Sequence, residues 1–250
     1  MPHRSRPFAD VDLAAAYAYP TDRPWLRANM IASLDGSAWW GDRTGPLGDE
    51  RDRELFQLLR GLADVVIVGA GTVRVEGYGP VRPRPEWDEL RAGRAPVPPL
   101  AVVSRALNLD FDAPIFTAAS ERTIVLTTEA APASQRKAAE ARAEVIVAGR
   151  EDVDIRAAVD ALIARGHRRL LCEGGPILLA QVAAAGLLDE LCLTLSPVLL
   201  AGDAARILNG TPLPEPGHFG LAHVLTGEDH LFLRYVAKNA QGAGPTPSGT

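Results

Sequence analysis

Cysteine is scarce. The chain has two, Cys172 and Cys192, both inside apolar runs. Their spacing matches no zinc or redox pair, so both thiols are expected reduced and buried rather than catalytic. The five histidines show no pairing at helical spacing, and no metal is expected. No apolar run approaches the ~20 residues of a membrane span. The basic start MPHRSRPFAD lacks the apolar centre of an export signal, so a cytoplasmic protein with no membrane partner is expected. Blocks of like charge are also missing: the net charge is −5 with both signs interspersed, which leaves no electrostatic footprint for nucleic acid. No internal repeat is present.

What is there is ordinary globular material. The 250 residues are 47% hydrophobic and 23% charged, enough for one substantial core. Residues 1–24 read as a lead-in, with a short helix over 10–18 stopped by Tyr19-Pro20. Residues 25–238 form the single domain. Residues 239–250 (NAQGAGPTPSGT) are small, polar and Pro/Gly-rich, and are expected to be disordered. Residues 83–99 carry five prolines and predict a surface loop with a helical turn over 87–91.

Between these runs a strand–helix alternation. Residues 25–33 (WLRANMIAS) predict a strand. Leu55, Phe56, Leu58, Leu59 and Leu62 repeat at helical spacing over 49–62. Short Val/Ile-rich runs at 64–70, 100–104, 123–128, 144–148 and 169–172 read as strands buried on both faces, separated by helices over 132–142, 154–165 and 176–185. The end changes style. Strands over 191–200, 219–227 and 230–237 follow with few helices between, and Gly227-Glu228-Asp229 signals a hairpin. The fold class is therefore α/β: a mixed, mostly parallel sheet flanked by helices and finished by antiparallel strands.

Ligands of an open parallel sheet bind outside the carboxyl ends of its strands. Four such ends carry small or anion-compatible residues: Gly69-Ala70-Gly71-Thr72, Ser104-Arg105, Thr127-Thr128 and Glu173-Gly174-Gly175-Pro176. Gly69 and Gly71 let a backbone approach a phosphate, and Thr72 can cap the helix that follows. Gly174, Gly175 and Pro176 open a second helix the same way, with Ile177 and Leu178 in its first turn. A plain tight turn explains either motif alone; two in one sheet favour a dinucleotide. Ser104 and Arg105 suit the 2′-phosphate of NADPH, where NAD would call for an acid. Ser33-Leu34-Asp35-Gly36 closes the first strand, and Asp35 can orient a substrate, relay a proton or simply form an Asx turn. Trp39-Trp40 can cover a ring or pack on the sheet. Glu76 can sit near the reacting centre or lie solvated on a short helix.

These pieces, in this order, resemble one family along almost the whole chain. NMIASLDG (29–36), LRGLADVVIVGAGTV (59–73), AVVSR (101–105), CEGGPILL (172–179) and LLDELCLTLSP (187–197) are similar to the reductase domain of bacterial riboflavin biosynthesis, in its stand-alone form without the zinc deaminase. The resemblance implies a dihydrofolate-reductase-like fold and NADPH held by Gly69, Gly71, Thr72, Ser104, Arg105, Thr127 and residues 173–178. It also implies a cis Gly174-Gly175 bond and a homodimer joined through the C-terminal strands. The substrate would be a phosphoribosylamino-uracil, met by Asn29, Ser33, Trp39 and Arg53, with Asp35 and Glu76 as the candidate catalytic acids. Arg27, Arg53 and Arg82 are the candidate cations for its phosphate. The chain departs from the family at Asn29, often lysine there, and at Glu76-Gly77-Tyr78, often Asp-Asp-Pro. A pterin therefore stands as a second substrate class, and a non-catalytic NADPH-binding protein as a reading of another kind.

Overall fold

The computed structural model describes residues 5–41 and 43–238. The expected order is present. After β1 (Arg6–Pro7) and α1 (Leu13–Ala16) come β2 (Trp25–Ser33), α2 (Glu50–Leu62), β3 (Val65–Gly69) and α3 (Ala70–Glu76). Then follow β4 (Leu100–Val103), α4 (Pro114–Thr117), β5 (Ile124–Thr127), α5 (Ala133–Arg142), β6 (Glu144–Val147) and α6 (Ile155–Ala164). The chain ends with β7 (Arg169–Cys172), α7 (Pro176–Ala184), β8 (Glu190–Ser196), β9 (Phe219–Gly227) and β10 (His230–Ala237).

Among the described residues the strands form one sheet in the order β1-β9-β10-β8-β2-β7-β3-β4-β5-β6. The run from β8 to β6 is parallel, and β10 pairs antiparallel with both β8 and β9. That is the mixed sheet the sequence predicts. The β9–β10 hairpin turns through Glu228-Asp229, with Glu228 at φ +51°.

The central strands are apolar on both sides because both sides are covered. Val66 and Val68 of β3 join the core beneath α2 to α5, whereas Val65 and Ile67 join the core beneath α6 and α7. The chain moves outward from β3 through β4, β5 and β6, then returns through α6 to place β7 on the other side of β3. β3 and β7 thus flank a switch point, and the helices that follow them lie on opposite faces. Such a point leaves a crevice at the strand ends.

Two stretches are more integrated than their composition predicts. The lead-in contributes β1, which pairs parallel with β9, and buries Phe8, Tyr17 and Tyr19. The expected helix over 10–18 shrinks to α1, capped by Asp12. Residues 83–99 are no free surface loop. Their one helical turn is Pro85–Trp87; Trp87 is buried over Gly61, and Arg91 donates to the carbonyls of Gly61 and Ala63. The tail 239–250 lies outside the described residues. Both cysteines are free and buried, and burial pushes the Cys172 thiol up to about 12.

Candidate active site

The two glycine-opened junctions meet at the switch point. The Gly69 N–H donates to the Gly174 carbonyl at 2.8 Å. A methyl group on Gly175 would stand 2.7 Å from Thr72 Oγ1, so the turns touch and glycine is what fits between them. The Gly174-Gly175 peptide is cis, as the resemblance implies.

A cavity of about 1300 Å³ opens in front of them. That exceeds the usual range for one small ligand, roughly 300–1,000 Å³, and leaves room for a dinucleotide beside a second ring. From one junction it receives Gly69, Gly71 and Thr72; from the other, Glu173, Gly175, Pro176, Ile177 and Leu178. Gly71 faces open space. Neither α3 nor α7 has a side-chain cap, whereas α2 and α6 are capped by Asp49 and Asp154. The first peptide N–H groups of a helix have no intrahelical acceptor, so these starts can donate to an anion. Ser104 and Arg105 border the same cavity at the end of β4.

Asn29, Trp39 and Glu76 also line the cavity. Asn29 Oδ1 is buried without a partner, an acceptor in want of a donor. Glu76 accepts the Thr44 N–H at 2.9 Å and so ties the loop after β2 to α3.

Five expected site residues lie elsewhere. Asp35 does not border the cavity. Its carboxylate accepts the Ser33 hydroxyl and the N–H groups of Leu200 and Ala201, and these bonds, Ser33 first, hold it below the usual carboxylate range. Ser33 is fully buried and also accepts the Ser37 N–H, so the pair braces the turn after β2. Thr127 is buried and donates to the Arg105 carbonyl at 3.3 Å; it shapes the strand end without facing the cavity. Gly174 packs behind the wall, where a Cβ would meet Met30 Sδ at 3.0 Å. Arg53 is exposed on α2 and outside the lining. The other two phosphate candidates also lie outside the lining. Arg27 is fully buried in an ion pair with Glu190, and Arg82 is exposed away from the lining. The cations that do border the cavity are Arg43, Arg60, Arg74 and Arg105.

Sequence reasoning missed a network in the cavity wall. Arg60 Nε and Nη2 each donate to Glu173 at 2.7 Å, and the Tyr78 hydroxyl donates to the same carboxylate at 2.7 Å. The guanidinium also stacks on Phe56 at 4.3 Å. Burial and then the Glu173 charge push the Tyr78 phenol well up, so it remains a neutral donor. A second omission is Asp52. It borders the cavity, and burial raises its carboxyl above the ordinary value. Both Arg60 and Asp52 sit on α2, where charged residues read as a solvated helix face. Only their position at the switch point reveals them.

The model of the RibD C-terminal domain family matches residues 24–232. The 2,5-diamino-6-ribosylamino-4(3H)-pyrimidinone 5′-phosphate reductase of Archaeoglobus fulgidus is 30% identical over 192 residues, covering 75% of this chain and 87% of the relative. The reductase of the same name from Methanothermobacter thermautotrophicus is 28% identical over 222 residues, covering 86% and 99%. A pyrimidine reductase-like protein from Corynebacterium diphtheriae superposes with a TM-score of 0.80 at 30% identity, over 90% of this chain and 98% of that one.

Proposed function

Because the chain belongs to the RibD C-terminal domain family, we propose that it is a reductase that takes a hydride from NADPH and delivers it to the C=N or open-chain carbonyl carbon of the sugar of a phosphoribosylaminopyrimidine, the π bond breaking as the heteroatom takes a proton from solvent. The observation that carries this reading is the meeting of residues 69–72 and 175–178 at one cavity, with Arg105 on its rim. A bound nicotinamide cofactor supplies the hydride.

The chain's own residues do the rest. Helix starts at Gly71-Thr72 and Ile177-Leu178 hold the diphosphate. Ser104 and Arg105 take the 2′-phosphate. Asn29 offers its unpartnered oxygen to an amide or amino donor. Trp39 and Phe56 wall the site and exclude water, and Glu173, fixed by three hydrogen bonds, keeps the wall rigid beside the reacting centre. Arg43, next to the Thr44 whose N–H Glu76 accepts, is exposed, borders the cavity and has no ion-pair partner among the described residues, which suits it to the sugar phosphate.

Asp52 favours a second reading. A half-buried carboxyl in the cavity lining suits the amino-bearing edge of a ring, which a pterin offers as a 2-aminopyrimidinone does. NADPH oxidation measured with the diamino-pyrimidinone ribosyl phosphate, its deaminated uracil counterpart and dihydrofolate separates these readings. Turnover of either ribosyl phosphate supports the proposal. Turnover of dihydrofolate alone replaces it, and NADPH binding with no turnover of any of them sinks it.

The same proposal includes a homodimer. Leu191, Leu193 and Leu195 are partly exposed on one face of β8 and stand opposite Tyr235, Leu233 and Leu231 of β10. Leu191 and Leu193 pack against the core beneath α6 and α7 yet stay partly exposed, and a second copy would cover what remains of that apolar patch. Among those residues no helix is long and apolar enough to cross a membrane.

A further inference from the structure

Arg105 is not alone at the cofactor rim. Its Nη1–H donates to Asp152 Oδ1 at 3.1 Å, and both side chains border the cavity. Both are well exposed, so burial does not force the contact. The backbone on each side sets it up instead. The Arg105 carbonyl accepts the hydroxyls of Thr127 and Thr128 at 3.3 and 3.4 Å. Asp152 stands in the loop between β6 and α6, which closes through the Asp154 N–H on the Ala148 carbonyl at 2.9 Å. Gly149 makes that closure possible. It adopts φ +109°, and a Cβ there would fall 2.2 Å from the Asp152 carbonyl oxygen. A further cation, Arg74 of α3, reaches the same rim and donates to the Asn108 carbonyl at 2.8 Å.

The rim therefore holds both signs where dinucleotide sites are usually built with one. A carboxylate accepts from the ribose 2′-hydroxyl of NADH, and a guanidinium takes the 2′-phosphate of NADPH. A phosphate seated on Arg105 must displace Asp152 or lie beside it, and the two anions repel. A 2′-hydroxyl leaves the ion pair intact and finds an acceptor in it. We propose that Asp152 is a specificity-determining residue that holds the preference for NADPH over NADH below the level that Arg105 and Arg74 alone would set. The inference rests on the cofactor reading above.

The test is titration of the full-length protein with NADPH and with NADH, followed by tryptophan fluorescence, for wild type, Asp152→Asn and Arg105→Gln. Asparagine preserves the size of the side chain and removes its charge. We expect Asp152→Asn to tighten NADPH about fivefold, the scale of one exposed charge interaction. NADH should bind no better, and the gain should shrink in high salt, which a purely structural role of Asp152 would not produce. Arg105→Gln should weaken NADPH and leave NADH nearly unchanged. If Arg105→Gln loses NADPH affinity but Asp152→Asn leaves the NADPH-to-NADH ratio where it was, the proposal is wrong and the cofactor reading survives. If Arg105→Gln changes neither affinity, the 2′-phosphate does not sit at this rim, and both fall.

Discussion

Single residues at the crevice separate steric from chemical roles, because two neighbouring glycines answer to different constraints. Gly71 faces open space within the first turn of α3, and alanine costs a helix nothing there. Gly71→Ala should therefore fold with unchanged or slightly higher Tm, yet bind NADPH more weakly, because the methyl group stands where a phosphate would approach the backbone. Gly175→Ala meets Thr72 Oγ1 and should lower both Tm and cofactor affinity. Thermal melts with and without NADPH read both effects. Equal NADPH affinity in wild type and Gly71→Ala would remove Gly71 from the phosphate site. The glycine turns were readable from sequence because their signal is local: small residues directly after a Val/Ile run. Arg60 was not, since its partner Glu173 lies 113 positions away and only the fold joins them. Asp35 misled for the opposite reason. Its short-range pattern fits a functional acid and an Asx turn equally, and the contacts with Leu200 and Ala201 come from a distant loop.

At the scale of elements, β2, β8 and β10 are cross-linked by charge as well as by their ladders. Glu190 of β8, fully buried, accepts Arg27 of β2 at 2.7 Å and Arg234 of β10 at 2.8 Å. Burial opposes its ionisation, but the two arginines outweigh it and bring its carboxyl down to about 2. Glu190→Gln would leave two cations without their counter-charge and should destabilise by about 3–5 kcal/mol. His223 of β9 sits beside this cluster, edge-on to Tyr17 at 4.9 Å. Burial, then Arg234, lowers its pKa to about 4. The sign follows from linkage. Below its ordinary value of 6.5 the unfolded histidine binds a proton that the folded one refuses until about 4, so stability falls as pH drops through that interval. Glu190 adds a second loss between its ordinary value of 4.5 and about 2. Urea midpoints should thus decline from pH 7 to pH 4, and His223→Gln should flatten that decline. A wild-type midpoint that stays level from pH 7 to pH 4 would refute the assignment. The strands of this cluster were readable as apolar runs, with the Gly227-Glu228-Asp229 turn marking the hairpin. The contribution of β1 was not, because a two-residue strand has no periodicity and its partner β9 lies near the other end of the chain.

For the whole molecule, the unequal treatment of the two sheet ends carries the argument. Near β3 both faces of the sheet are fully buried, whereas at the β8–β10 end one face keeps Leu191, Leu193 and Leu195 only partly covered. On β8 the buried residues Glu190, Cys192, Thr194 and Ser196 alternate with the partly exposed Leu191, Leu193 and Leu195. Burying a leucine is worth ~1.5–3 kcal/mol, so several left half-covered favour association with a surface of the same kind. An isologous contact doubles each of them, since the same patch serves both copies. Leu193 lies at the middle of β8, opposite Leu233. An aspartate at Leu193 would bring two carboxylates near the two-fold axis and strip them of water. Leu193→Asp should therefore shift the protein from dimer to monomer in light scattering, with far-ultraviolet circular dichroism retained, because a half-exposed position tolerates the charge within one copy. The active-site crevice, built from β3 and β7, should still bind NADPH in that monomer. A wild-type chain that is monomeric at micromolar concentration would exclude the second copy. A Leu193→Asp variant that stays dimeric would move the contact to another face.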